Sequence, residues 1–277
     1  MNKQKMLLLG AACICSLSFI SQSATAAVMY DQLVTPDVIF GSGNANGSFT
    51  VDKSDEVKNG VSNGVELGLR GKLRFDATGQ PQNIFNSNGD GTYSFDAGVA
   101  PNQPSLTAAV WSFEWSINSE YNCAPAGGFC RNLNELTYLL GMDSDPTLGT
   151  DFLMFDPINL AFADHAIGDN TTANGGGTEA ADATDYASLI ENNHVAQNSW
   201  QPSWFLSGFD PTVDGQYDFF LEAYAKGGTS PLARTDISII VGAGATVPPV
   251  PVPAAIWLFG TAMIGLVGFG KRRKAAS

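Results

Sequence analysis

Val65-Glu66-Leu67-Gly68-Leu69-Arg70-Gly71-Lys72-Leu73-Arg74-Phe75 alternates with a period of two. The odd positions are apolar or glycine, and the even positions carry Glu66, Arg70, Lys72 and Arg74. Successive side chains of a strand point to opposite faces, so this pattern predicts a half-buried β-strand. It also gathers three cations on one face. Trp111, Phe113, Trp115 and Ile117 alternate with Ser112, Glu114, Ser116 and Asn118, which predicts a second strand. Residues 217–225 and 236–241 give two more, and 92–96, 136–142 and 152–155 give shorter ones. Turn-rich stretches at 41–47, 86–91, 174–177 and 226–230 punctuate them.

Many strands, few helical patterns and abundant Gly, Asn and Asp predict an all-β protein, an antiparallel β-sandwich of jelly-roll-like type. Residues 179–197 have room for a short helix and are left unassigned. No internal repeat of solenoid or propeller period is present. The expected organisation is a signal peptide over 1–26, a β-sandwich body over 27–241, and a Gly/Pro-rich linker with a sorting motif over 242–253. A transmembrane helix over 254–270 and a basic cytoplasmic tail over 271–277 complete it.

Both ends carry the physical marks of export. Lys3 and Lys5 form a positive start, residues 6–20 an apolar run, and Ala24-Thr25-Ala26 a small-x-small cleavage site. Cys13 and Cys15 lie in the apolar run and leave with it. Position 10 is glycine, so the leucine of a lipoprotein site is missing before Cys13. At the other end, residues 254–270 hold no charge and are followed by Lys271-Arg272-Arg273-Lys274. Seventeen helical residues span roughly 25 Å, and a snorkelling Lys271 extends that toward a ~30 Å hydrocarbon core. The four cations form a membrane stop and should stay cytoplasmic, leaving the body outside.

Val250-Pro251-Val252-Pro253-Ala254, followed by Ala255, Trp257, Leu258, Phe259 and Gly260, then by the apolar run and the basic cluster, resembles a known signal. It is similar to the VPLPA variant of the PEP-CTERM sorting domain, with Val252 where that variant usually has leucine. The parent motif's acidic residue is absent. The resemblance covers about residues 248–277 only. It implies export in a Gram-negative-type cell, transient anchoring in the membrane, and cleavage near the motif by an exosortase-type transpeptidase with a catalytic cysteine. Transfer to the cell surface or extracellular matrix would follow. The motif residues would be substrate for that enzyme and catalyse nothing.

The body's charge and cysteines fit the same compartment. All 27 acidic residues lie between Asp31 and Asp236, against 8 basic residues once the six in the termini are set aside, a formal −19. Such a body repels nucleic acid and anionic headgroups. Cys123 and Cys130 are the two cysteines outside the signal. Two cysteines are too few for a zinc site, and their spacing is not that of a redox motif, so a disulfide is expected. Closing so short a loop contributes about 2–3 kcal/mol.

Chemistry-bearing candidates are sparse. His165 and His194 are the only histidines, and no zinc-protease, nucleophile-elbow or phosphate-loop motif accompanies them. The default for each is a surface or loop histidine. Glu114 and Glu120 are conceivable as a glycosidase pair, although a polar strand face accommodates Glu114 without one. Asn86, Asn88 and Asp90 alternate as calcium ligands do, but position 97 is alanine where an EF-hand needs glutamate. Asp143, Asp145 and Asp151 form a second acidic loop. Trp111 and Trp115 share the apolar face of their strand and belong to the core. Trp200 and Trp204, in a loop-like stretch, are the better candidates for stacking on sugars. The expectation is a non-enzymatic exported surface or matrix protein without cofactor. A carbohydrate-binding module that contacts extracellular polysaccharide is the first alternative, and a secreted hydrolase the second.

Overall fold

A computed structural model describes residues 27–58, 61–123, 130–159 and 162–244. The expected signal peptide, sorting motif, spanning helix and basic stop lie outside them. Among the described residues no helix is long and apolar enough to cross a membrane.

Among the described residues, eleven strands and one α-helix make up the body. They are β1 (Met29–Gln32), β2 (Phe49–Lys58), β3 (Val61–Leu73), β4 (Thr92–Phe95), β5 (Trp111–Asn118), β6 (Leu136–Asp143), β7 (Phe152–Phe155) and β8 (Ala166–Gly168). The helix α1 (Ala183–Asn192) comes next, followed by β9 (Val195–Trp200), β10 (Gly215–Ala225) and β11 (Pro231–Val241). They form two sheets, β1-β2-β3-β5-β9-β8 and β4-β11-β10-β6-β7. The all-β sandwich expected from the sequence is therefore present. Of the ten successive connections between these strands, five stay within one sheet and five cross between the sheets. The fully antiparallel expectation needs one correction. The chain crosses from the first sheet to the second before β4, and β4 then runs parallel to β11.

The core lies between the two sheets. Phe113 of β5 stacks on Phe219 of β10 at 4.6 Å between ring centroids. Trp111 meets Phe219 edge-on, Tyr217 at a tilt, and Phe95 of β4 in a stack. Gly71 is what lets β4 come this close: a Cβ there would sit 2.8 Å from both the Phe95 ring and the Tyr93 Cβ.

The second face of the first sheet departs from expectation. The alternation in β3 predicts a solvated polar face, yet Glu66, Arg70 and Lys72 are buried. The reason is a covering segment, residues 33–48, that runs across this face. Val34 and Val38 pack on Phe49 and Val51, and Val34 occupies the space that a side chain at Gly68 would need. Polar contacts fasten the segment. Thr35 donates its N–H and hydroxyl to Glu66, and Ile39 donates its N–H to Gln197, which donates back to the Asp37 carbonyl. Asn118 donates to the Thr35 carbonyl. Buried polar groups cost free energy unless paired, and here the pairs run between sheet and segment.

The unassigned stretch resolves into α1 and β9. Asp182 caps α1 by accepting from the N–H groups of Thr184 and Asp185, and buried Tyr186 donates to the Ile158 carbonyl. The disulfide joins Cys123 to Cys130, with their Cα atoms 5.2 Å apart.

Candidate functional site

The polar face of β3 and β5 ends in an open cleft. Register places Arg70 opposite Glu114 and Lys72 opposite Ser112. Glu114 is fully buried, and its Oε2 accepts from Arg70 Nε at 2.7 Å and faces Arg70 Nη2 at 2.6 Å. The Arg70 guanidinium is held between the rings of Phe49 and Phe85, at 4.1 and 3.9 Å from their centroids. Its Nη1 donates to the carbonyls of Ala45 and Gly47, so one arginine neutralises Glu114 and fastens the covering segment. Lys72 Nζ lies 3.2 Å from Glu114 Oε1 and donates to Asn44 Oδ1 at 2.5 Å. Burial pushes the Lys72 amine below its ordinary range, opposed by Glu114. Arg74, also lowered by burial, donates to Ser199 Oγ at 2.9 Å and lies 5.4 Å from the Trp204 ring centroid.

Asn44, Lys72, Arg74, Glu114, Ser199 and Trp204 line a cavity of about 420 Å³, whereas Arg70 lies behind it. Phe40, Phe75 and Trp204 supply its apolar walls, and Lys72, Arg74, Glu114, Asp164, Glu179 and Asn198 its polar ones. Trp204 is 57% exposed, the largest aromatic surface the described body presents to solvent. The short 3₁₀ turn Pro202–Trp204, which opens on Pro202, sets it at the rim. An exposed indole beside convergent hydrogen-bonding groups suits a ligand with an apolar face and a polar edge.

Other sequence candidates fall elsewhere. Trp200 needs correction: it is 5% exposed and lies at the end of β9, packed on Trp115 and Phe205. Alternation along β9 turns it into the core, so only Trp204 of the pair reaches solvent. Both histidines lie in loops, within the surface-or-loop expectation, but they are buried there and not at the surface. His165 contacts the Pro157 carbonyl through Nε2 at 2.7 Å and Asn198 through Nδ1, while the His194 ring accepts from Asn170 N–H. Burial lowers the pKa of each. Glu120 does not join Glu114. It accepts from the Gly64 N–H, and burial raises its pKa.

Asn86, Asn88 and Asp90 form a tight turn before β4. Asn86 and Asn88 use their amide nitrogens as donors toward Ser94 and Thr92, and Asp90 accepts both the N–H and the hydroxyl of Thr92. Asp143 accepts the N–H groups of Asp145 and Asp151. Among the described residues no group of three or more His, Cys, Asp or Glu side chains could hold a metal ion.

A further pattern in the sequence accounts for six of the 27 acidic residues. Asp-x-Thr occurs at 76–78, 90–92, 145–147, 169–171, 182–184 and 210–212, and in each the aspartate accepts the N–H of the threonine two residues on. Threonine hydrogen bonds hold Asp90, Asp169 and Asp210 below the usual carboxylate range. These aspartates build turns, the use a short acceptor side chain has next to free backbone donors.

In comparison with known proteins, the chain matches no family model, no curated protein and no solved structure.

Proposed function

We propose that this is an exported, non-catalytic cell-surface or matrix protein whose sandwich binds carbohydrate in the cleft beside Trp204. The observation that carries the binding reading is the exposed indole at the rim of a cavity whose walls are part apolar and part hydrogen-bonding. A pyranose offers an apolar face of C–H groups for the ring and equatorial hydroxyls for Arg74, Asn198 and Asp164. The non-catalytic reading is supported by the buried roles of His165 and His194 and by the separate partners of Glu114 and Glu120.

Trp204→Ala is expected to weaken polysaccharide binding about tenfold, the scale of one lost aromatic contact. Its folding stability should stay within about 0.5 kcal/mol of the parent, as for an ordinary surface substitution. Affinity electrophoresis through gels containing bacterial and plant polysaccharides measures the first and urea unfolding the second. A parent protein that migrates unretarded through every polysaccharide defeats the binding reading.

Export and sorting rest on the signal peptide over 1–26 and the motif, spanning helix and basic stop over 250–274. The exosortase-type enzyme would act at the outer boundary of the membrane. Mass spectrometry of protein recovered from the cell surface is expected to find a C-terminus within residues 250–255, with the apolar span absent. Recovery of the surface form with residues 271–277 attached would refute processing.

A further inference from the structure

We propose that Lys72 and Asn44 become joined by an intramolecular amide bond, with Glu114 carrying the proton, so that the covering segment is covalently fastened to β3. This inference is independent of carbohydrate binding. The three groups are already assembled. Lys72 Nζ touches Asn44 Oδ1 at 2.5 Å and lies 3.2 Å from Glu114 Oε1. The lysine side chain is 7% exposed and the glutamate is fully buried.

Each partner has the orientation the reaction needs. Asn44 Nδ2 donates to the Phe40 carbonyl at 2.9 Å. Reversing the amide would set carbonyl against carbonyl, so its oxygen, and with it the Cγ carbon, faces Lys72. Arg70 supplies the charge partner of Glu114 Oε2, which leaves Oε1 facing the lysine. Burial, helped by Arg70 and Arg74 and opposed by Glu114, shifts Lys72 toward the neutral amine, the nucleophilic form. Preassembly of nucleophile and electrophile replaces the encounter that makes amide exchange slow in solution.

The step balances without an external reagent. Glu114 Oε1 takes a proton from Nζ as the Nζ–Cγ bond forms. It returns that proton to Nδ2 as the Cγ–Nδ2 bond breaks. Ammonia leaves through the open cleft, which Asn44, Lys72 and Glu114 all line. Nothing is oxidised or reduced, and Glu114 ends as it began. The product ties residue 44 to residue 72 on the far side of a strand and a turn.

Tryptic peptide mapping of protein purified after expression of the full chain tests this. The expected result is a branched peptide in which Gly71-Lys72-Leu73-Arg74, uncut at Lys72, is attached to the peptide containing Asn44, lighter by one ammonia than the two together. Fragment ions place the link at Lys72 Nζ. Asn44→Ala is expected to abolish the branched peptide, release cleavage after Lys72 and restore the full mass. A parent protein whose Lys72 and Asn44 peptides are both linear overturns the proposal. So does an ammonia deficit confined to a linear peptide, as ring closure at Asn46-Gly47 would give.

Discussion

Arg70→Met is expected to destabilise the folded body by about 3–5 kcal/mol, the cost of stranding one partner of a buried ion pair. Glu114 is fully buried, and Arg70 supplies both contacts to its Oε2. Methionine keeps the bulk between Phe49 and Phe85 but offers no donor. Lys72 Nζ, 3.2 Å from the other carboxylate oxygen, is then the nearest side-chain nitrogen left beside it. The carbonyls of Ala45 and Gly47 also lose their donor, so the loss should extend to the covering segment. Arg70→Lys should recover little, because one ammonium cannot span Glu114 and two carbonyls as a planar fork does. Adding Glu114→Leu to Arg70→Met should return part of the stability, since the stranded charge is then gone. Urea unfolding reads all three. A shift below about 1 kcal/mol in Arg70→Met, with an unchanged denaturant slope, would mean that water reaches Glu114 and that this face is not sealed.

Trp111→Ala carries the second large effect, again about 3–5 kcal/mol, against a total stability of about 5–15 for a typical domain. Its indole touches aromatic rings from β4, from β10 and from Phe209, and so joins the two sheets. Truncation leaves a cavity that two rigid sheets cannot close. Trp111→Phe is the informative control. Among the described residues the buried Trp111 Nε1–H has no hydrogen-bond partner, so phenylalanine removes an unpaired donor along with some volume. Its expected cost is below about 1.5 kcal/mol. Equal losses for Ala and Phe in thermal unfolding would show that the indole nitrogen is paired after all.

The parts of the fold legible in the sequence were those where period two coincides with one buried face. Phe113 and Trp115 announce β5, and Tyr217, Phe219 and Leu221 announce β10. Strand β2 is not among the strands expected from the sequence, because Asp52, Lys53, Ser54 and Asp55 show no apolar alternation and are held as strand by backbone pairing with β3. The burial of Arg70, Lys72 and Glu114 was illegible for another reason. Alternation reports that two faces differ, but it says nothing of a segment from elsewhere in the chain covering the polar one. The clue was three cations on one strand of a strongly acidic body. Trp200 and Trp204 read alike from a loop-like stretch, but the 3₁₀ turn Pro202–Trp204 leaves Trp204 exposed while Trp200 ends β9 facing the core.

The last strand has a mechanical consequence. β11 is bonded to β10 over residues 231–241 and, on its other side, its last four residues 238–241 are bonded to β4. Sheet hydrogen bonds run across the strands, perpendicular to a pull along one of them. Tension entering the body after Gly244 would therefore load the β10 and β4 ladders together in shear, with the rungs sharing the force. A C-terminal strand held at an edge by one ladder would instead peel away rung by rung. A body tethered by its C-terminal end thus meets drag at one of its more resistant points.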